Sequence, residues 1–181
     1  MLNEAECRAN LLALPTPTIV IDDDITRKVF EQVAGCMLHL IGKKSPPIKI
    51  IINSPGGEVD SGLDIYDLLR LYEGEKTGIV IDRAASMGAV ILQACNVRAC
   101  ARHASILIHH VSRSNITLDQ LRNPRKLKEV RDSMEKSQAK LYAILTDRTG
   151  QSVSRIRTVC ALDKHMSARE ALKFGLIDKI V

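Results

Sequence analysis

The sequence predicts an α/β domain in which helices flank a layered, largely parallel β-sheet. Short runs of β-branched residues alternate along the chain with longer stretches whose apolar residues recur every three or four positions. The 181 residues are enough for one compact domain, and no linker or internal repeat divides them. We therefore expect a single domain over residues 1–181, with an N-terminal segment at 1–16.

The first half of the chain contains both periodicities. Residues 48–52 are nearly all β-branched and lie between turn residues, which is typical of a buried strand. Residues 26–41 instead repeat apolar side chains at helical spacing. The elements expected here are a strand at 18–21, the helix at 26–41, the strand at 48–52, a helix at 61–72, a strand at 78–81 and a helix of small residues at 86–94.

The second half contains the longest predicted helix, at residues 126–148, after a predicted strand at 105–109. Ser167 and Glu170 have capping-box spacing, so they predict the start of a last helix, and Gly175 predicts its end. A final strand is expected at 176–181. The residues expected on one stripe of the long helix are Leu127, Val130, Met134, Leu141 and Leu145.

Composition argues against several classes of protein. The net charge is only +5 and aromatic residues make up 3%, so the chain lacks the basic stripe and stacking platform of a nucleic-acid binder. No apolar run approaches the roughly 18 residues that cross a bilayer, and the N-terminus lacks the basic region of a signal peptide. We expect a cytoplasmic protein without nucleic-acid or membrane partners. The basic residues between 122 and 131 indicate a solvated helix face, with binding of an acidic partner as the alternative.

The five cysteines are odd in number and none form a C-x-x-C pair. A disulfide framework or a zinc site is therefore not expected, and buried thiols in a reducing compartment are. A nucleophilic role for Cys95 or Cys160 is a minor alternative, because no motif surrounds either residue.

Two segments are candidates for binding and catalysis. Gly56 and Gly57 follow the buried strand, where paired glycines allow positive φ and expose amides to an anion or oxyanion. A tight structural turn explains them equally well. Ser86 lies among small residues where a strand gives way to a helix, which suits a nucleophile, although an ordinary N-cap serine is the alternative.

A histidine pair ends the strand at 105–109. Adjacent strand residues point to opposite faces, so His109 and His110 are not expected to share a metal, and His109 is the candidate general base. A base needs an orienting acid, and Asp163, just before the capped last helix, could supply it. A surface turn is the alternative for Asp163.

Together these segments resemble the ClpP family of serine peptidases, within the crotonase-like superfamily. The resemblance covers about residues 17–181. The sequences Asn53-Ser54-Pro55-Gly56-Gly57 and Ala84-Ala85-Ser86-Met87-Gly88-Ala89 are similar to the family's glycine turn and nucleophile segment. Ile108-His109, Asp163 and the stretch from Met166 follow in family order.

The resemblance implies the ClpP/crotonase-like fold and a Ser-His-Asp mechanism. Ser86 attacks a peptide carbonyl, His109 transfers the proton, and Asp163 orients the imidazole. The glycine turn, Gly56 and Gly57, forms the substrate and oxyanion site with Met87, the amides of Gly57 and Met87 binding the oxyanion. No metal or cofactor is implied.

The resemblance also implies an assembly of stacked heptameric rings with internal active sites, a handle region at about 111–148, and substrates that are unfolded or delivered by an AAA+ ATPase. The chain departs from the family pattern after His110, where residues 111–117 replace a glycine-rich strand. Lys49 and Ile51 replace aromatic residues of the family's ATPase-docking pocket. These changes suggest a divergent member.

Other functions remain open. One is a phage-type or accessory maturation or signal-peptide peptidase that acts without an ATPase. Another is a non-catalytic ring subunit, although such subunits commonly lose a triad member. An acyl-CoA enzyme of the crotonase type would share the fold without needing Ser86, His109 and Asp163 together.

Overall fold

A computed structural model describes residue 11 and residues 13–181, so Cys7 and most of the predicted segment 1–16 lie outside the described residues. The mixed α/β architecture and the parallel sheet confirm the predicted fold class. The strands are β1 (Thr18–Ile21), β2 (Ile48–Ser54), β3 (Lys76–Ala85), β4 (Val97–Cys100), β5 (Ser105–Leu107), β6 (Met166–Ser167) and β7 (Lys179–Ile180). The helices are α1 (Arg27–Gly42), α2 (Val59–Leu71), α3 (Met87–Leu92), α4 (Leu118–Arg122), α5 (Pro124–Thr149), α6 (Val153–Leu162) and α7 (Ala168–Phe174).

The sheet runs in the order β1-β2-β3-β4-β7, and β5 lies beside the far end of β3 with β6 beside β5. All of these pairs are parallel except β5 with β6. β3 is shared between two neighbours: residues 77–80 pair with β4, and residues 83–85 pair with β5. β3 therefore continues past the end of β4 to reach a second partner.

The isoleucine-rich β2 shows why these residues form a buried strand. Ile48, Ile50 and Ile52 are at most 1% exposed and lie in the central apolar cluster. Lys49 points to the opposite, exposed face, as the two-residue period of a strand requires. Among the described residues, no helix is long and apolar enough to cross a membrane.

Several predicted bounds were wrong. β5 ends at Leu107, so His109 lies two residues beyond the strand. β4 and α6 were not predicted at all, and α6 changes the setting of Asp163, which caps its C-terminus. Leu127 is 43% exposed rather than part of the buried stripe of α5, because the N-terminal half of this helix buries only Val130.

The basic residues of this region are exposed and pair with acidic residues nearby. Arg125 contacts Glu129 at 3.2 Å, Lys128 contacts Asp132 at 2.8 Å, and both are i,i+4 pairs along α5. Exposed pairs of this kind contribute little to stability. The stretch is a solvated, charge-balanced helix face in the described chain.

An ion pair between the buried Arg98 and the partly exposed Asp178 joins β4 to the C-terminal segment. The Arg98 guanidinium donates to both carboxylate oxygens of Asp178, with Nη2–Oδ1 at 2.6 Å and Nε–Oδ2 at 3.2 Å. Its Nη1 also donates to Gln93 Oε1 at 2.6 Å and to the carbonyls of Arg148 and Gly175. Arg98 is 6% exposed, so one buried side chain links α3, β4 and the ends of α5 and α7.

The charge of Asp178 depends on this contact. Desolvation raises the pKa of Asp178, but the hydrogen bonds from the Arg98 side chain and backbone, with the Arg98 charge, outweigh it and bring the pKa below its ordinary value. A carboxylate whose pKa is lowered by folding stabilises the fold above its unfolded pKa of about 4. That contribution is lost as the pH falls through the lower, folded pKa.

We expect Arg98→Met to lower the free energy of unfolding by about 3 kcal/mol, because it leaves Gln93 Oε1 and two backbone carbonyls without their buried donor. Urea denaturation at pH 7 and fixed protein concentration measures this. Lys128→Met removes an exposed pair instead and should leave the midpoint unchanged. Equal midpoints for the two variants would show that Arg98 does not hold these elements together.

Candidate active site

Three strand ends meet at one edge of the sheet. Ser54 of β2 lies beside Ala84 of β3, and Ala85 lies beside Leu107 of β5. The Ser86 amide continues this register by donating to the Leu107 carbonyl at 2.9 Å. Residues that directly follow these strands are therefore brought together, and they include the glycine turn, Ser86 and His109.

Ser86 has an unusual backbone conformation, with φ 53° and ψ −121°. A non-glycine residue in such a conformation typically costs about 1–3 kcal/mol. Ser86 occupies the N-cap position of α3, but its side chain makes no capping hydrogen bond. The alternative of an ordinary capping serine is therefore not what the geometry shows, and the half-buried hydroxyl is left for another partner.

Gly56 packs directly against Ser86. A Cβ added to Gly56 would lie 2.5 Å from the Ser86 Cβ and 3.1 Å from the Met87 amide nitrogen, and Gly56 has φ 102°. Gly57 has φ 149°, and an added Cβ would lie 2.3 Å from the Ile25 carbonyl oxygen. Both glycines are needed for close backbone approach, so this segment is more than a permissive turn.

Two residues that sequence reasoning missed hold the glycine turn in place. Ile25 donates its amide to the Gly56 carbonyl at 2.7 Å and accepts from the Glu58 amide at 2.8 Å. The buried Ser54 hydroxyl donates to the Asp23 carbonyl at 2.6 Å and accepts from the Gly56 amide at 3.1 Å. The role of Ser54 could have been predicted, because this polar side chain lies within the motif. The contacts of Ile25 could not, because any residue type can make the same backbone hydrogen bonds.

Asp163 reaches His109 through the pairing of β5 with β6. Their antiparallel register pairs Ile106 with Met166, so the segment that continues to His109 and the segment that leads back to Asp163 begin side by side. The distance from His109 Nδ1 to Asp163 Oδ1 is 3.9 Å, longer than a hydrogen bond. Asp163 has φ 46° and its side chain is 72% exposed, so the acid lies at the open side of the site.

The two histidines have different partners, although neither lies within the strand. His109 faces Asp163, whereas His110 Nδ1 lies 2.9 Å from the Tyr142 hydroxyl. In the part of the chain that the structure describes, Ser86 forms no side-chain hydrogen bond with His109. Catalytic hydrogen bonds often form only when substrate binds, so the missing bond leaves His109 a candidate general base. No cluster of three or more metal-ligating side chains occurs among the described residues.

The described buried cysteines are poor nucleophiles. Burial raises the pKa of Cys95 to about 12 and the pKa values of Cys100 and Cys160 to about 11. The thiolate is the reactive form, so these thiols are protonated and unreactive near neutral pH. The alternative of Cys95 or Cys160 as nucleophile loses its chemical basis.

A strained serine packed against a glycine turn is an arrangement that suits acyl transfer. The family model described as "Clp protease" matches residues 6–181. The ATP-dependent Clp protease proteolytic subunit 1 of Chlamydia trachomatis (serovar D) is 32% identical over 93% of this chain and 88% of its own length. The ATP-dependent Clp protease proteolytic subunit of Chaetosphaeridium globosum is 32% identical over 90% of this chain and 80% of its own length. The chain belongs to the Clp protease family and is a peptidase.

We expect Gly56→Ala to slow phosphonylation of Ser86 by a fluorophosphonate on the order of 100-fold, because the new Cβ must displace Ser86 or its neighbouring backbone. The rate of labelling measures this. Gly35→Ala is the matched control: it adds a Cβ with nothing within 4 Å in helix α1, so it should stabilise the fold by about 0.5–1 kcal/mol and leave labelling intact. Labelling of Gly56→Ala at the wild-type rate would show that this close approach is not needed.

Proposed function

We propose that the protein is a serine endopeptidase that cleaves unfolded or delivered proteins with Ser86, His109 and Asp163. Ser86 Oγ attacks the peptide carbonyl and forms an acyl-enzyme, while the leaving amine takes the proton. Water then attacks the acyl-enzyme. His109 takes the proton from this water and gives it to Ser86 Oγ as the acid product is released. Each step uses groups of the chain and water alone.

The conformation of Ser86 carries the proposal. An N-cap serine ordinarily has extended backbone and accepts from an amide of the first turn, but Ser86 has φ 53° and makes no such bond. Its hydroxyl lies at the strand edge beside the glycine turn. A strained strand-to-helix turn of this kind exposes a nucleophilic oxygen, even though the local sequence is not G-x-S-x-G.

His109 is the proposed proton carrier. Its Nδ1 faces Asp163, so Nε2 is the nitrogen available to take the Ser86 proton and later to protonate the leaving amine. A carboxylate beside Nδ1 favours the tautomer with the proton on Nδ1 and stabilises the imidazolium. Asp163 therefore has an orienting role.

The amides of Gly57 and Met87 are the proposed oxyanion donors. Met87 is the first residue of α3, so its amide has no acceptor within the helix. Gly56 brings its backbone to within van der Waals range of both Ser86 and the Met87 amide. An oxyanion donor of this kind typically contributes 10²–10³ in rate.

The assembly belongs to the same proposal. The relatives are named as proteolytic subunits of ATP-dependent proteases, which supports an oligomer with internal sites and an AAA+ ATPase that supplies substrate. Residues 111–117 form no strand in the described chain, and α4 follows them. The handle region therefore differs from the glycine-rich strand of the family pattern at the surface proposed to join rings.

We expect Ser86→Ala to abolish fluorophosphonate labelling and to lower casein hydrolysis by a factor on the order of 10⁴ or more, because no other group can form the acyl-enzyme. Ser133→Ala, at an exposed position of α5, should behave as wild type. A folded, oligomeric wild-type protein that is not labelled, or a Ser86→Ala variant that still hydrolyses casein, would rule out Ser86 as the nucleophile.

We expect Asp163→Asn to lower kcat for casein hydrolysis by about 10²–10⁴ with little change in KM, because the amide no longer favours the useful tautomer of His109. Asp147→Asn, another exposed aspartate, is the control and should keep full activity. Steady-state kinetics at pH 7.5 decide between them, and a fully active Asp163→Asn variant would assign Asp163 to the surface turn.

A further inference from the structure

The segment that carries His109 is not held by the sheet. β5 ends at Leu107, and residues 108–111 lie outside every strand. Ile108 anchors one side of His109, because its side chain is 2% exposed within the apolar core. The contact with Asp163 is made by the imidazole ring through Nδ1, at 3.9 Å, so it does not hold the backbone that follows His109. Something else must fix the backbone on the other side of His109.

Two side chains of α5 supply that support. Gln138 Oε1 accepts from the Val111 amide at 2.7 Å, and the Tyr142 hydroxyl lies 2.9 Å from His110 Nδ1. Gln138 and Tyr142 are four residues apart, so they lie on one face of the helix. They contact the two residues that directly follow His109, one through its backbone and one through its side chain.

Tyr142 also contacts helix α6, which ends next to Asp163. Its ring is 8% exposed and meets the His110 ring edge-on at a centroid distance of 6.3 Å. The Arg157 guanidinium of α6 lies 6.0 Å from the Tyr142 ring centroid. α6 ends at Leu162, and Asp163 caps it. One buried tyrosine therefore lies between the segment of the base and the helix of the acid.

We propose that Tyr142 and His110, with Gln138, are positioning residues for His109, an inference that rests on the proposed serine peptidase function. They hold the backbone on the C-terminal side of His109, so that the imidazole meets Ser86 in the geometry of proton transfer. None of the three touches the reacting atoms. If the His109 imidazole is displaced by a fraction of an ångström, we expect Ser86 to react more slowly with a fluorophosphonate, while the affinity for this reagent is unchanged.

The test compares two tyrosine-to-phenylalanine variants, each of which lacks one hydroxyl. Tyr142→Phe removes the contact with His110, and Tyr72→Phe removes a hydroxyl that donates to the Pro46 carbonyl far from the site. Tyr72 is also buried, at 3% exposure. Both variants lose one buried hydrogen bond. A slower labelling of Ser86 in Tyr142→Phe alone, at equal melting temperatures, is therefore due to the place of Tyr142 beside the His109 segment.

At His110 a conservative variant separates a specific contact from mere packing. The contact uses Nδ1, which is bonded to Cγ, and the side-chain amide of asparagine places its polar atoms at the same position. His110→Asn should therefore keep a hydrogen bond to Tyr142, whereas His110→Leu fills the space without one. Rescue by asparagine is not expected of a purely structural residue.

The measurement is saturation kinetics of Ser86 labelling by a fluorophosphonate, which separates the rate constant of phosphonylation from the affinity for the reagent. We expect Tyr142→Phe and His110→Leu to lower this rate constant roughly 3- to 10-fold, the effect of one hydrogen bond, with affinity unchanged within about twofold. His110→Asn and Tyr72→Phe should stay within about twofold of wild type.

If Tyr142→Phe and His110→Leu were phosphonylated at the wild-type rate, while the wild-type protein is labelled at Ser86, this inference would be overturned and the proposed function would stay intact. A loss of rate in Tyr72→Phe as large as in Tyr142→Phe would overturn it as well, because the effect would then be one of general stability. Absence of labelling in the wild-type protein, with Ser86→Ala no less active on casein, would overturn the proposed function and this inference together.

Discussion

The division of β3 between two neighbours is the constraint on which the candidate site depends. β3 leaves β4 after residue 80 and pairs with β5 from residue 83, so its last residues lie between β2 and β5. Ligand sites of parallel sheets commonly form at the carboxyl ends of strands where the connectivity changes. Here that place packs Gly56 against Ser86 and pairs the strand that ends at Ala85 with the strand that precedes His109, although these residues are separated by long stretches of sequence.

The same arrangement has an energetic cost, which the rest of the fold offsets. Ser86 and Asp163 both have positive φ without being glycine, and strain of this kind persists only where the surroundings overdetermine the backbone. Ser86 is fixed by the end of the β3–β5 ladder. The segment beyond Asp163 pairs with β5 through β6, and it is bound again where Asp178 meets the buried Arg98. Asp163 thus lies on a short turn between helix α6 and strand β6.

Strong local patterns made much of the fold predictable, and weak ones account for what was missed. The isoleucines of β2 and the capping box at Ser167 could be assigned directly, and the structure bears them out. β4 was missed because its four residues include a buried arginine, whose partner Asp178 is 80 residues away. For the site, sequence named each candidate but left an alternative beside it. Only the backbone angles of Ser86 argue against its role as an ordinary N-cap residue. The contacts of His110 with Tyr142 and of Val111 with Gln138 join residues that are 32 and 27 positions apart, so no local pattern predicts them.

The exposure of Asp163 connects the proposed chemistry with the proposed assembly. Two unit charges about 4 Å apart interact by about 1 kcal/mol in water and several-fold more strongly where the surroundings exclude it. The Asp163 side chain is 72% exposed, so water screens its interaction with a charge on His109. In the proposed mechanism the base needs that interaction at the moment when the proton leaves the serine. In the proposed assembly, a neighbouring subunit that covered the open side of this turn would exclude water there and strengthen the interaction.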